Sequence, residues 1–349
     1  MLRLAARAAS ALALASALAL TATTPALADP PQPAATDIVG VGSGVTAALF
    51  NQISADYNAS LAAAGNTTSP RLYSWDATGT TYITPAAGAV PIFRPSGTKN
   101  GITTLDNTDS KTVDFVRSNR PPQPGDIPTD LFVPLAKDAV SWAAPTGGHA
   151  PGELSKIALN NIYACAITNW RQLGAAFPDA AIRPVLPPYG TDARRAFLQA
   201  LGLTDRPVMP GSCLTEVAQE NQGADAILHD PDAIVPYSVG HYIGQVYGGH
   251  ARPGDEPGAL VPRPLDGILP VDPVTHTLSN IFGNTDFAYA LFTVVRQSEW
   301  NATSPQGTAL RDIFGRNGWI CRSNSGLPVL RSYGFLPLPV GACGSSLHA

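Results

Sequence analysis

One recurring unit constrains this chain more than anything else in it: an apolar strand, then a turn of glycine and hydroxyl residues, then a helix. The first copy is Asp37-Ile-Val-Gly-Val-Gly-Ser43-Gly44, followed by Thr46 to Tyr57 with Leu49, Phe50 and Ile53 at helical spacing. Arg71 to Trp75 and Val90 to Arg94 read as the next strands. The turn Pro95 to Gly101 leads into a short helix through Ile102 and Leu105. A fourth strand, Thr112 to Arg117, ends at Ser118-Asn119-Arg120. Farther on, Leu131 to Ala144 is a long strand-like run and Leu154 to Tyr163 a helix. Arg183 to Leu186 opens through Gly190-Thr191-Asp192 onto a helix over Ala193 to Leu201. Ala233 to Ser238 is strand-like and Tyr242 onward helical. Phe287 to Val295, apolar on both sides, reads as a buried central strand. Strands alternating with helices predict an α/β fold with mostly parallel sheets.

The first residues set the compartment. Arg3 and Arg7 precede an Ala/Leu run from Ala8 to Leu20, and Ala26-Leu27-Ala28 is a small-x-small cleavage signal. Residues 1–28 therefore read as a secretory signal peptide, 29–36 as a Pro-rich leader, and the protein as secreted. The apolar run is too short for a membrane span of ~18 or more residues, and no second stretch approaches that length. Membrane insertion after cleavage is not expected. The remaining ~320 residues exceed a comfortable single core and imply two lobes.

Export agrees with the cysteines. Cys165, Cys213, Cys321 and Cys343 are even in number, which suggests two disulfides with three possible pairings. Proximity along the chain favours Cys165 with Cys213 and Cys321 with Cys343. With no C-x-x-C pair and no two histidines at i, i+4, a zinc site or other cofactor is not expected. Without the two signal arginines, the 22 basic residues fall short of the 26 acidic ones by six, which argues against nucleic acid or anionic membranes as partners. A locally positive pocket for a small anion remains compatible with that balance.

The chemistry sits in the turns. In an open α/β sheet the loops at the carboxyl ends of the strands face the ligand crevice. Each such loop here enters a helix, whose first turn offers unpaired N–H groups and a partial positive charge. Four turns carry the pattern: Ser43-Gly44-Val45-Thr46, Ser96-Gly97-Thr98, Arg117-Ser118-Asn119, and Gly190-Thr191-Asp192-Ala193-Arg194. Converging on one crevice, they make an anion site built mainly of neutral dipoles. Taken singly, each turn is equally compatible with an ordinary helix cap.

In this order the segments resemble the phosphate-type substrate-binding proteins of ABC importers, particularly their actinobacterial relatives. Asp37-Ile-Val-Gly-Val-Gly matches the family's opening strand and its soluble DING subgroup. Val113 to Asn119 is similar to the family's V-D-F-G-A-S-D, and Leu159 to Trp170 to its I-Y…W helix and turn. Gly190 to Leu198 sits where the family has G-S-G-T-x-x-x-F, and Ala233 to Ser238 resembles its returning G-A-I-G-Y strand. The resemblance implies a two-lobed type 2 periplasmic-binding fold with a two-strand hinge. Lobe 1 would comprise residues 37–133 and 237–349, and lobe 2 residues 134–236, with crossings near Val133–Pro134 and Pro236. It implies a monomer that holds a small inorganic anion, phosphate foremost, for uptake or scavenging, with an ABC permease as partner. Arg194 is the charged ligand it favours, ahead of Arg117 and Arg94.

The departures matter as much. The family's binding carboxylate, which accepts the proton of hydrogen phosphate, is replaced by Asn119. Asp192 replaces a glycine of the G-S-G-T turn and Ala193 its threonine. Asp192 either takes over the acceptor role or caps the helix that begins there. Binding proteins of Gram-positive importers usually carry a lipidated cysteine at the mature N-terminus, where this chain has Asp29. Two alternatives stand beside the phosphate reading: a binding-type protein with another ligand or none, and a secreted hydrolase. For the latter the chain shows no G-x-S-x-G, H-E-x-x-H or EF-hand motif.

Overall fold

The computed structural model describes residues 29–107, 112–339 and 341–348, so the expected signal peptide over residues 1–28 lies outside the described residues. The chain enters through strand β1 (Ile38–Gly42), helix α1 (Ala47–Ala63) and strand β2 (Leu72–Ser74). A small hairpin of β3 (Tyr82–Ile83) and β4 (Ile92–Phe93) precedes α2 (Gly97–Leu105) and β5 (Phe115–Ser118). The expected strand at Val90 to Arg94 thus forms, but pairs only with β3 and stands apart from the main sheet. The long strand β6 (Asp130–Pro145) is followed by α3 (Lys156–Tyr163), β7 (Arg183–Leu186), α4 (Asp192–Ala200) and β8 (Thr215–Glu216). Then come β9 (Ala233–Ser238), α5 (Val239–Val246), β10 (Leu260–Pro262) and β11 (Ala288–Arg296). Helices α6 (Gln297–Trp300), α7 (Pro305–Phe314) and α8 (Gly326–Ser332) lead to β12 (Leu336–Pro337) and β13 (Leu347–His348).

The main sheet runs β2-β1-β5-β11-β6-β9-β7-β8, with β10, β12 and β13 also paired to β6. Strands β2, β1 and β5 are parallel, as are β9, β7 and β8. β11 lies antiparallel between β5 and β6, and β6 antiparallel to β9.

Alternation along β1 explains the first core. Ile38 faces a cluster with Leu49, Phe50 and Ile53 of α1 and with Leu310 and Phe314 of α7, while Val39 and Val41 pack on the other face with Ile102, Leu105 and Val116. A second core joins Trp142, Leu159, Ile162, Trp170 and Phe197. Along β6 the cluster membership changes between Ala136 and Ala139, and along β11 between Phe287, just before it, and Leu291. Two continuous strands therefore connect the cores.

That placement moves the expected return crossing. Val239, Ile243, Leu265, Leu278 and Phe282 all pack with residues 139–201 rather than with the first core. The run Ala233–Ser238 stays inside the second half, paired to β6 and β7. A buried strand and a crossing strand are both continuous apolar runs, so the sequence pattern does not separate them. Both expected disulfides, Cys165–Cys213 and Cys321–Cys343, are present. Among the described residues, no helix is long and apolar enough to cross a membrane.

Candidate ligand-binding crevice

The carboxyl ends of β1, β2 and β5 lead to Ser43, Asp76 and Asn119, and the loop after β7 leads to Thr191. At Gly42 the backbone has φ +119°, and a Cβ there would lie 2.5 Å from the Arg117 carbonyl oxygen. Only glycine fits, and its turn delivers Ser43 to Thr46 to the start of α1. Gly97 has φ +79°, and a Cβ there would meet the Gly190 carbonyl oxygen, from the other half of the molecule, at 3.4 Å. The starts of α1, α2 and α4 thus lie at one crevice. None of their N-cap residues (Thr46, Ser96, Thr191) makes a side-chain cap.

What fills the α2 start is Asp192. The Thr98 N–H donates to its carboxylate, at 3.1 Å to Oδ2 and 3.4 Å to Oδ1. The Thr98 hydroxyl lies 3.2 Å from both Asp192 Oδ2 and Asn119 Oδ1. Asn119 Nδ2 donates to the Asp192 carbonyl oxygen at 3.3 Å. Asp192 therefore caps α2, across the crevice, and not the helix it begins. The start of α4 is capped instead by Glu220, whose Oε2 accepts from the Ala193 N–H at 2.9 Å. Glu220 also leans on Gly44, where a Cβ would come within 2.6 Å of its Oε1. Thr46 Oγ1 is buried without a hydrogen-bond partner, and the Ser43 hydroxyl, buried too, lies against the Asp192 carboxylate.

The electrostatics are unusual for an anion site. Burial raises the Asp192 pKa, and the Ser43 hydroxyl, Arg195 and Thr98 oppose it. Burial, then the Asp192 charge, pushes the Glu220 carboxyl up to about 8. Burial also raises Asp76, against the pull of Asn51 and Arg117. Burial draws the His241 imidazole down, but the charge and hydrogen bond of Asp255 outweigh it, so its pKa is raised. His241 Nε2 lies 2.9 Å from Asp255 Oδ1.

The arginines do not lie where the sequence put them. Arg194 is fully buried and pairs with Asp205 at 2.7 Å and Glu216 at 2.6 Å. It also donates to the Pro187 carbonyl oxygen at 2.8 Å. Its guanidinium holds the β7–α4 loop together instead of facing the crevice. Arg117, also fully buried, donates from Nε to the Ser43 carbonyl oxygen at 3.0 Å and from Nη1 to the Ser74 hydroxyl. Burial lowers its pKa to about 10, so it stays charged at neutral pH and braces the Ser43 turn from behind. Arg94 pairs with Asp29 at 2.7 Å. The Ser118 and Thr191 hydroxyls donate to carbonyl oxygens of their own turns, Arg120 and Pro188, and Gly190 N–H donates to Asp205. Val45 packs in the first core.

A cavity of about 190 Å³ opens beside the Asp192 contacts, lined by Gly44, Ser96, Thr191 and Glu220 together with Asp76 and Asp255. Sequence reasoning missed Asp76 and Glu220. Asp76 follows the carboxyl end of β2, so the rule that picked the other turns applied to it. Glu220 comes from an irregular stretch with no pattern.

The model of the PBP superfamily domain matches residues 29–244, more than half of the chain. The chain belongs to this family. No curated protein matches it. Among solved structures, an ABC-type phosphate transport receptor from Vibrio cholerae is 16% identical, with a TM-score of 0.57 over 87% of this chain and 100% of that one. A substrate-binding protein from Clostridium perfringens, solved with bound phosphate, is 14% identical, with a TM-score of 0.59 over 87% and 100%. The periplasmic phosphate-binding protein PfluDING, also solved with phosphate, is 14% identical, with a TM-score of 0.52 over 88% and 91%. At these identities the likeness is one of fold: the family's type 2 periplasmic-binding architecture.

Proposed function

We propose that the protein is an exported solute-binding protein that holds a small oxyanion, phosphate foremost, in the crevice between its two lobes, for uptake through a membrane permease or for scavenging. On this reading lobe 1 comprises residues up to about the middle of β6 together with those from the middle of β11 onward, and lobe 2 the segment between. The observation that carries it is the grip on Asp192. A helix start that its own N-cap residue leaves open and a threonine hydroxyl already close on a carboxylate, and such a donor set suits an oxyanion. The ligand takes the position of that carboxylate, with the Ser43 and Thr46 hydroxyls as further donors. Asp192, turned aside, accepts the ligand's proton in place of the carboxylate that Asn119 lacks. Binding without turnover is the activity this supports.

Isothermal titration of the purified protein with phosphate and sulfate tests the reading. Phosphate should bind more tightly than sulfate, because sulfate has no proton to give Asp192 near neutral pH. Asp192→Asn should shrink that preference by about tenfold, the worth of one charge-assisted hydrogen bond. No binding of either anion would refute the oxyanion reading. A preference untouched by the substitution would remove Asp192 from the acceptor role.

A further inference from the structure

An inorganic oxyanion at the Asp192 position leaves the neighbouring cavity unexplained. That cavity borders the oxyanion position through Gly44, Ser96 and Thr191, which belong to the same turns, whereas Asp192 and Asn119 themselves line a second cavity with Arg120, Lys156 and Arg195. The bordering cavity is acidic. Asp76 is 2% exposed; its Oδ1 accepts from Asn51 Nδ2 at 2.7 Å, while its Oδ2 is buried with no partner. A bare carboxylate oxygen facing a small polar cavity wants a donor, preferably a charged one. The lining points the same way: Asp76, Glu220 and Asp255 stand against His241 alone, while Arg117 and Arg252 act on Asp76 from outside it. A ligand arm that brings its own cation suits that lining.

We infer that the ligand is an oxyanion carrying a short ammonium arm, an aminoalkyl phosphonate or phosphate ester, with its amine in the cavity and donating to Asp76 Oδ2. This rests on the oxyanion reading and narrows its ligand class. The cavity volume of about 190 Å³ admits an arm of a few heavy atoms. The hairpin β3–β4 exposes Tyr82 and Phe93, but nothing in the structure shows what covers it.

The test is titration of the full chain with three probes: inorganic phosphate, ethylphosphonate and 2-aminoethylphosphonate. The amine-bearing probe should bind at least about tenfold more tightly than ethylphosphonate. In Asp76→Asn, checked for folding by its thermal melt, the ratio between those two probes should fall close to one. Equal affinity of the two phosphonates for the native chain overturns the inference whether or not the variant folds, and so does a ratio that survives the substitution. If phosphate binds and the amine adds nothing, this inference alone fails. If none of the probes binds, the oxyanion reading fails with it.

Discussion

Arg194 and Arg117 are both buried arginines beside the crevice, and neither points a free guanidinium into it. At Arg194 the carboxylates of Asp205 and Glu216, with the Pro187 carbonyl oxygen, take up most of the donors. Arg194→Ala should therefore act on stability first, with a loss of about 3 kcal/mol. That is the low end for a broken buried pair, because Asp205 and Glu216 keep some contact with water. Urea denaturation checks this; an unchanged midpoint together with lost anion binding would return Arg194 to the ligand set. The sequence showed that an arginine follows the turn. It could not show which acids would claim it, since Asp205 and Glu216 reach it only once α4 and β8 have packed. Asp192 was legible as a departure from a glycine turn, but its partner Thr98 is 94 positions away, a distance that local pattern does not span. The glycine-hydroxyl turns were legible because backbone sterics at Gly42 and Gly97 act within a residue or two.

At the level of elements, strand and helix types followed from periodicity, because α1, β1, β6 and β11 each bury a face or faces that the sequence marks as apolar. What periodicity could not assign was the return strand. Both Ala233–Ser238 and Ala288–Arg296 are apolar runs, and only their packing separates the internal strand from the connecting one. Asp138 lies where these elements meet. It is fully buried on β6 and accepts from Ser238 Oγ at 2.6 Å, from the Gly240 N–H at 2.8 Å and from the Tyr289 hydroxyl at 2.8 Å. A single carboxylate thus ties β6 to the start of α5 and to β11. Asp138→Ala leaves three donors without an acceptor and should cost at least about 3 kcal/mol. Equilibrium unfolding measures the loss; a cost below about 1 kcal/mol would mean the three donors find other partners. The two disulfides brace elements elsewhere, Cys165–Cys213 between the end of α3 and the stretch before β8, and Cys321–Cys343 near α8.

The whole molecule stores several protons that its unfolded chain would release. Burial pushes Asp114 and Asp130 up to about 7, and burial with the Asp192 charge pushes Glu220 up to about 8. His241 is raised as well. Between the ordinary carboxyl values near 4 and these raised ones, the native state binds more protons than the unfolded state. Stability from these groups is complete below about pH 4 and is lost as pH rises through 7 to 8. Asp126, lowered by its Arg120 partner after burial's opposing pull, acts only at more acid pH. Urea midpoints should therefore fall from pH 5 to pH 9; a flat or rising trend would contradict the buried, protonated state of these carboxyls.

The donors now held by Asp192 are proposed as the ligand's own. The direct measurement is a crystal structure of the protein grown with saturating phosphate at mildly acidic pH. An anion is expected within hydrogen-bond distance of the Thr98 N–H and the Ser43 hydroxyl, with the Asp192 side chain turned aside to face it. Phosphate bound elsewhere, or the Thr98–Asp192 contacts intact at saturating phosphate with no anion in the crevice, would contradict it.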